Sequence, residues 1–247
     1  MEQNMDKKEF ISELTRVFNA NKLGSMLNLE RAEKFYALTE RMLEENEKYN
    51  LTAITEPSKI ILNHYADCAS LAARLPKKCR IADIGCGAGF PTLPVAILRD
   101  DVEITAIDST DKRVKYVGGT AELLGLANVK TVTMRAEDGG KSPEYREVYD
   151  VVTARAVAEM RVLLELCLPY VKVGGVMIAM KGKNAEFELG AAKKAIAVLG
   201  GTLDKCEEIT LSNGTETISH PLIYVKKKTK TPASYPRPYA QISKKPL

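Results

Sequence analysis

The pattern of hydrophobic and polar positions changes character near residue 76. From about Asp6 to Leu75 apolar residues recur at helical spacing, most clearly at Leu29, Ala32, Phe35, Tyr36, Met42 and Leu43, a stripe that reads as the buried face of a long helix. Beyond it, short β-rich runs alternate with helical ones. Strands are predicted near 79–84, 102–107, 129–134, 149–154, 174–180, 204–211 and 220–228, and helices near 91–99, 111–125, 159–171 and 184–199. Such alternation predicts an α/β fold, a doubly wound and mostly parallel seven-stranded sheet behind an N-terminal helical extension. The last two strands leave no room for a crossover helix, so they should form a hairpin with one strand antiparallel to the rest. Gly174-Gly175 and Gly200-Gly201 read as points where helices hand over to strands. Pro91 and Pro94 fall in a first helical turn, where a missing N–H does little harm. The expected organisation is a helical extension over 1–75, an α/β domain over 76–228 and a tail over 229–247, without internal repeats.

Composition narrows the class. A chain of 247 residues with 45% hydrophobic content can bury one sizeable core, and it contains no apolar run long enough for a membrane helix. Its start, MEQNMDKKEF, has neither an apolar signal core nor an Arg-rich transit pattern, so a cytoplasmic location is expected. The five cysteines, Cys68, Cys79, Cys86, Cys167 and Cys206, are scattered and lack C-x-x-C spacing; they read as reduced, mostly buried thiols, with no metal site indicated. Charge is informative by position. Residues 226–247 hold seven basic side chains and no acid, which leaves −3 on the rest of a chain whose formal total is +4. With Tyr235 and Tyr239 among prolines, such a tail suits a polyanion, its cations on phosphates and its rings on bases; the alternative is a solvated, flexible end.

The most specific chemistry lies in Ile81 to Leu98, IADIGCGAGFPTLPVAIL, which sets Asp83, Gly85, Gly87 and Gly89 at two-residue spacing between a strand and a helix. Glycines there permit positive φ and let bare backbone approach a nucleotide cofactor. A dinucleotide loop wants G-x-G-x-x-G, but counting from Gly85 the third slot holds Phe90, which disfavours nicotinamide and flavin. The D-x-G-x-G-x-G form instead resembles the first motif of S-adenosylmethionine-dependent methyltransferases. The next strand, Val102 to Asp108, ends in a carboxylate where a nucleotide-binding βαβ unit offers an acid to ribose hydroxyls. Asp108 is therefore the expected ribose ligand, with helix capping as its alternative role.

Several further motifs, in order, resemble those of the ribosomal small-subunit methyltransferase G family, also called glucose-inhibited division protein B. They are Tyr49-Asn50-Leu51-Thr52, His64 with Asp67, DIGCGAGFPTLP from Asp83, Asp108-Ser109 with Lys112-Arg113, Arg135-Ala136-Glu137, Thr153-Ala154-Arg155-Ala156, Lys181-Gly182 and Tyr235-Pro236-Arg237. The match runs nearly end to end. Departures are Cys68 in place of serine, Thr92 in place of glycine or serine, and Ala240 and Ile242 where glycine and proline are frequent; none touches the glycine loop. The resemblance implies a Rossmann-like class I methyltransferase that moves a methyl from S-adenosylmethionine to N7 of a guanine in the 530 loop of 16S ribosomal RNA. The implied partner is the small ribosomal subunit or its assembly intermediate, and a monomer is expected.

The resemblance and the strand ends together assign roles. Asp83, Gly85, Gly87, Gly89, Phe90, Asp108, Ser109, Ala136, Glu137 and Arg155 are expected at the cofactor, Asp83 as the residue that holds the loop and Glu137 having helix capping as its alternative. Arg155, Asn50 and His64 are the candidates for catalysis, with Asp67 beside them; a satisfied core position is the alternative for His64, and His220 reads as structural. Arg113, Lys181 and Arg237 are expected on RNA, Lys112 being a weaker neighbour and Arg135 a possible surface residue. Guanine N7 carries an in-plane lone pair, so its methylation needs alignment rather than a base. Consistent with that, Thr153-Ala154-Arg155 stands where an amino-group methyltransferase would show Asp/Asn-Pro-Pro-Tyr and a cytosine carbon-5 enzyme a Pro-Cys nucleophile. Two other classes share parts of this pattern. A methyltransferase acting on another RNA, a small molecule or a protein would keep the loop and Asp108, and a non-enzymatic nucleic-acid binder would keep only the scaffold.

Overall fold

The computed structural model describes residues 5–182 and 184–247. Asp6 starts the first helix, α1 (Lys7–Ala20), with a capping box: its carboxylate accepts the Glu9 N–H at 2.8 Å and the Glu9 carboxylate accepts the Asp6 N–H at 3.2 Å. Asn28 caps α2 (Leu29–Tyr49), which ends at Asn50 in the left-handed conformation, φ 49°. A helical rod follows, α3 (Pro57–Ile60) and α4 (Asp67–Ala72) joined through a wider π-helical turn, Ile61–Ala66. The remainder alternates as β1 (Arg80–Ile84), α5 (Thr92–Leu98), β2 (Glu103–Asp108), α6 (Asp111–Leu123), β3 (Val129–Thr133), α7 (Ala136–Gly139), β4 (Tyr149–Arg155), α8 (Met160–Cys167) and β5 (Val171–Met180). It closes with α9 (Ala185–Ala191), α10 (Lys193–Val198), β6 (Gly201–Ser212), β7 (Thr217–Lys227) and α11 (Tyr239–Lys244).

The seven strands form one sheet in the order β3-β2-β1-β4-β5-β7-β6, parallel except at β7, which runs antiparallel to β5 and pairs with β6 as a hairpin. Both faces are covered, as a parallel sheet requires. Adjacent strand residues divide between the two layers: Ile81, Val151, Ile178 and Leu222 face α1, α2, α4 and α5, whereas Ala82, Val152, Met177 and Ile223 face α8, α10 and the C-terminal segment. The N-terminal helices therefore share one continuous core with the sheet. Among the described residues no helix is long and apolar enough to cross a membrane.

Four local expectations are corrected. Leu29, placed in the buried stripe, begins α2 and is 66% exposed, while Phe35 and Met42 are fully buried. The pair Gly174-Gly175 lies inside β5, not before it: a register shift against β4 lets Gly175 approach so closely that a Cβ there would lie 2.7 Å from the Asp150 carbonyl oxygen. The helix expected over 159–171 stops at Cys167, because Pro169 offers no N–H to continue it. The helix expected over 184–199 is two short ones that meet at Ala192, beside Gly190.

The tail is ordered against the body. Ile242 of α11 is fully buried in the α8 layer, and its neighbour Lys227 at the end of β7 is buried with its ammonium on the Leu168 carbonyl and near Glu147. Lys228, Lys230, Lys244 and Lys245 are exposed and, among the described residues, form no ion pair. The stripe on α2 gives a direct test by urea unfolding. Phe35→Ala should cost about 3–5 kcal/mol through the cavity it leaves, whereas Leu29→Ala should stay within about 0.5 kcal/mol of wild type.

Candidate active site

All parallel strands end on one edge of the sheet, and the chain order reverses between β1 and β4. Open α/β sheets bind ligands there, because the loops diverge and leave a crevice. In this protein the crevice is a cleft of about 410 Å³, within the size of small-molecule sites. Its floor is the loop from Gly85 to Phe90, and its walls come from the ends of β2, β3 and β4 together with the Leu51-Thr52 segment and Tyr239.

Asp83 sets the floor. Fully buried at the end of β1, it accepts the Thr92 hydroxyl at 2.6 Å and the Thr153 hydroxyl at 3.2 Å, tying the loop's helix to β4. Burial pushes its carboxyl up to about 6 against the two hydroxyl donors. Asp83, expected to hold the loop under the cofactor, lies beneath the cleft and ties the loop from there. Gly89 does not line the cleft: with φ +85° it faces inward, and a Cβ would lie 2.5 Å from Leu93 Cδ1, so backbone conformation and close helix packing both favour glycine. Gly85 and Gly87 do line the cleft, and beyond Gly87 the space is open.

Asp108 stands opposite. Its Oδ2 accepts the Gly87 N–H at 3.0 Å and its Oδ1 the Thr110 N–H at 2.9 Å, so the carboxylate both fixes the loop and opens α6 while lining the cleft. Ser109 lies beside it, and Arg113 reaches within 3.9 Å of Asp108 Oδ2 with half its side chain in solvent. Ala136 and Glu137 line the same wall at the start of α7, where the Tyr170 hydroxyl donates to the Ala136 carbonyl at 2.7 Å. Arg135, noted as a possible surface residue, is exposed and also reaches the cleft rim.

The other wall is an electrostatic cluster. Arg155, at the end of β4, donates to the Asn63 carbonyl at 3.1 Å and to His64 Nδ1 at 2.8 Å, and its Nη1 lies 3.2 Å from Asp67 Oδ2. The π-helical turn places all three partners on one flank. His64 Nδ1 lies between Arg155 Nη2 at 2.8 Å and the Asn63 carbonyl oxygen at 3.1 Å, and Nε2 lies 3.2 Å from the Thr52 hydroxyl, so both ring nitrogens are engaged. Burial first and the Arg155 charge second push the imidazole down to about 4, so it is neutral near pH 7. Phe90 stacks on this ring, centroids 4.4 Å apart, and the Arg155 guanidinium carbon lies 5.7 Å from the Phe90 centroid.

Three expectations about polar residues are overturned by geometry. Asn50 is exposed and does not line the cleft; its left-handed turn delivers Leu51 and Thr52 there instead, so Thr52 is the polar group that the motif Tyr49–Thr52 supplies. Lys181 is mostly buried, donating to the Ala158 carbonyl at 2.8 Å and pairing with Glu188 at 2.7 Å, and Arg237 forms a forked pair with the fully buried Glu165. Their charges are paired within the protein, and neither lines the cleft. Conversely His220, read as structural, reaches the cluster from β7: its Nε2 is 2.7 Å from Asp67 Oδ1, off the line of a good hydrogen bond. Lys112 lies over the Tyr49 ring at 5.9 Å. No local sequence signal marks His220, which enters through a tertiary contact, whereas Thr52 closes a motif whose Asn50 was the residue singled out.

These features match a family. A sequence model described as "rRNA small subunit methyltransferase G" matches residues 31–213. The chain belongs to that family. A ribosomal RNA small subunit methyltransferase G from Clostridium perfringens is 45% identical over 227 residues, covering 91% of this chain and 94% of the relative. Its counterpart in Acetivibrio thermocellus is 41% identical over 244 residues, 98% and 100% of the two chains. Solved structures agree on the fold: a SAM-dependent methyltransferase from Aquifex aeolicus (TM-score 0.52, 19% identity, 74% of this chain and 97% of that one) and M. jannaschii TYW2 in complex with AdoMet (TM-score 0.52, 17% identity, 65% and 74%).

The low basicity of His64 has a thermodynamic signature. Its ring binds a proton near pH 4 in the folded state but near 6.5 when unfolded, so between those values the unfolded chain holds more protons and stability is lost as pH falls. Measured against His64→Gln, the wild-type unfolding free energy should therefore drop by about 3 kcal/mol from pH 7 to pH 4. An unchanged difference between the two proteins across that range would refute the assignment.

Proposed function

We propose that this protein transfers a methyl group from S-adenosylmethionine to N7 of a guanine in the 530 loop of 16S ribosomal RNA, presented by the small subunit or its assembly intermediate. The observation that carries the reading is that the cleft pairs a glycine loop and Asp108 with a wall whose basic atoms are already engaged. His64 Nδ1 is occupied by Arg155, and both Asp108 oxygens hold loop amides. Neither is poised to remove a proton, and guanine N7 has none to lose. The tail's exposed lysines and the rim arginines Arg113 and Arg135 supply the cations that an RNA backbone requires.

The cleft suits S-adenosylmethionine in size, in the open backbone at Gly87, and in the carboxylate at the end of β2. Asp108 and Ser109 would hold its ribose hydroxyls, Ala136 and Glu137 its adenine, and Gly85 to Gly87 its methionine portion. When bound, it supplies an electrophilic methyl on a sulfonium. Arg155 would orient the guanine. Asp67 balances one flank of the guanidinium and contacts to Asn63, His64 and Cys68 fix its plane, which leaves the Nε–H, without a partner among the described residues, to take the guanine O6 edge without adding an unbalanced charge beside a purine that turns cationic. Neutral His64 and Phe90 form an apolar, water-excluding partition next to it.

Incubating the protein with methyl-labelled S-adenosylmethionine and unmodified small subunits, in parallel with their stripped RNA, tests this. Label recovered as 7-methylguanosine from one position supports the reading; cofactor binding without RNA label would turn it toward a small-molecule or protein acceptor. Asp108→Ala should weaken cofactor binding by about 10- to 100-fold, the worth of a hydrogen-bonded charge. Arg155→Lys should lower turnover by about 100-fold at saturating cofactor with little change in cofactor affinity. Equal affinity in Asp108→Ala and wild type would remove the ribose assignment.

A further inference from the structure

We infer that Tyr239, in the C-terminal segment, is part of the cofactor site and closes its adenine end; the inference rests on the cofactor reading above. The segment is strapped down at three points. Arg146 donates to the carbonyls of Gly140 at 2.6 Å, Thr231 at 2.7 Å and Tyr235 at 2.9 Å. Glu165, fully buried on α8, accepts the Arg237 backbone N–H at 2.8 Å, Nε at 2.8 Å and Nη2 at 2.6 Å. Pro236 packs on α7's boundary so tightly that a Cβ on Gly140 would lie 3.0 Å from its Cγ. Removing either partner of the Arg237–Glu165 pair would strand a buried charge, so this strap is held firmly.

Tyr239 follows two residues after Arg237, at the first position of α11, and lines the cleft. Its anchors place it. Pro236 rests against Gly140 at the end of α7 and Arg237 on Glu165 of α8, so the anchors hold Tyr239 beside the two elements whose Ala136, Glu137 and Leu166 also line the cleft. It is 43% exposed, in contrast to the fully buried Ile242 three residues on, and the described residues show no hydrogen bond or ring stacking that accounts for it. A flat aromatic face held at the rim by a rigid strap, next to the wall assigned to adenine, offers a purine a stacking surface at little entropic cost.

Calorimetric titration of S-adenosylmethionine into the full-length protein without RNA tests this directly. Tyr239→Ala should bind about tenfold more weakly, ~1.4 kcal/mol, Tyr239→Leu should resemble it, and Tyr239→Phe should stay within about twofold of wild type, because the ring and not the hydroxyl makes the contact. Thermal midpoints should be alike across the series, and turnover on small subunits should recover at saturating cofactor. Unchanged affinity in Tyr239→Ala, or wild-type affinity in Tyr239→Leu, overturns the inference. Unchanged affinity with lost turnover would assign the ring to the RNA substrate instead. A wild-type protein that binds no S-adenosylmethionine would overturn the reading beneath it.

Discussion

A carboxylate sealed from water at the end of β1 governs how this molecule is assembled around its cleft. Asp83 has no exposure, and a buried acid is tolerated only where donors meet it. Its donors are the hydroxyls of Thr92 on α5 and Thr153 on β4. One side chain thus joins the strand before the glycine loop, the helix after it and the neighbouring strand across the switch in chain order. Thr92 stands where the family more often has a smaller residue, yet its hydroxyl is the shorter of the two bonds. The loop above is held from the other side by Asp108, whose oxygens take the Gly87 and Thr110 amides. Two carboxylates, one hidden and one facing the cleft, fix the same turn.

The second organising feature is the Arg155 cluster. A guanidinium beside a purine that gains positive charge is a liability unless its own charge is balanced and its plane is fixed. Asp67 supplies the balance and the π-helical turn supplies the orientation, with His64 kept neutral by burial and by the same arginine. His220 comes from the hairpin at the far edge of the sheet to the back of Asp67. The cluster thereby links the N-terminal helices, the central strand β4 and β7. This gives the helical extension a part in building the cleft: it is the layer that carries Thr52 and His64 to its wall and Asp67 to Arg155.

Much of the fold was legible in order. Each of the seven strands falls near where alternation placed it, and for the central parallel strands the reason is that burial on both faces needs apolar runs that helices interrupt. The details that failed are those in which a close approach overrode local signals. Gly174-Gly175 reads as a linker but permits a bulge against β4, and Leu29 reads as part of a stripe but sits at the first turn of α2, beyond the reach of the core. Charge behaved similarly. Lys181 and Arg237 look available in a sequence, since nothing local announces that Glu188 and Glu165 will meet them. The basic tail, legible as a charge run, carries its lysines outward while its anchors fold inward.

The sequence by itself determined the order of elements, the glycine loop between β1 and α5, and the acid at the end of β2. Those depend on local conformational freedom, hydrophobic period and residue spacing, all properties of neighbours along the chain. Tertiary structure decided which of these residues face the cleft: Gly87 and Asp108 do, while Asp83 and Gly89 lie beneath or behind it. It also decided that Thr52, His220 and Tyr239 approach the strand ends from three remote segments. Such meetings are fixed by burial and by contacts across the sheet between residues as far apart in sequence as Asp67 and His220, 153 positions.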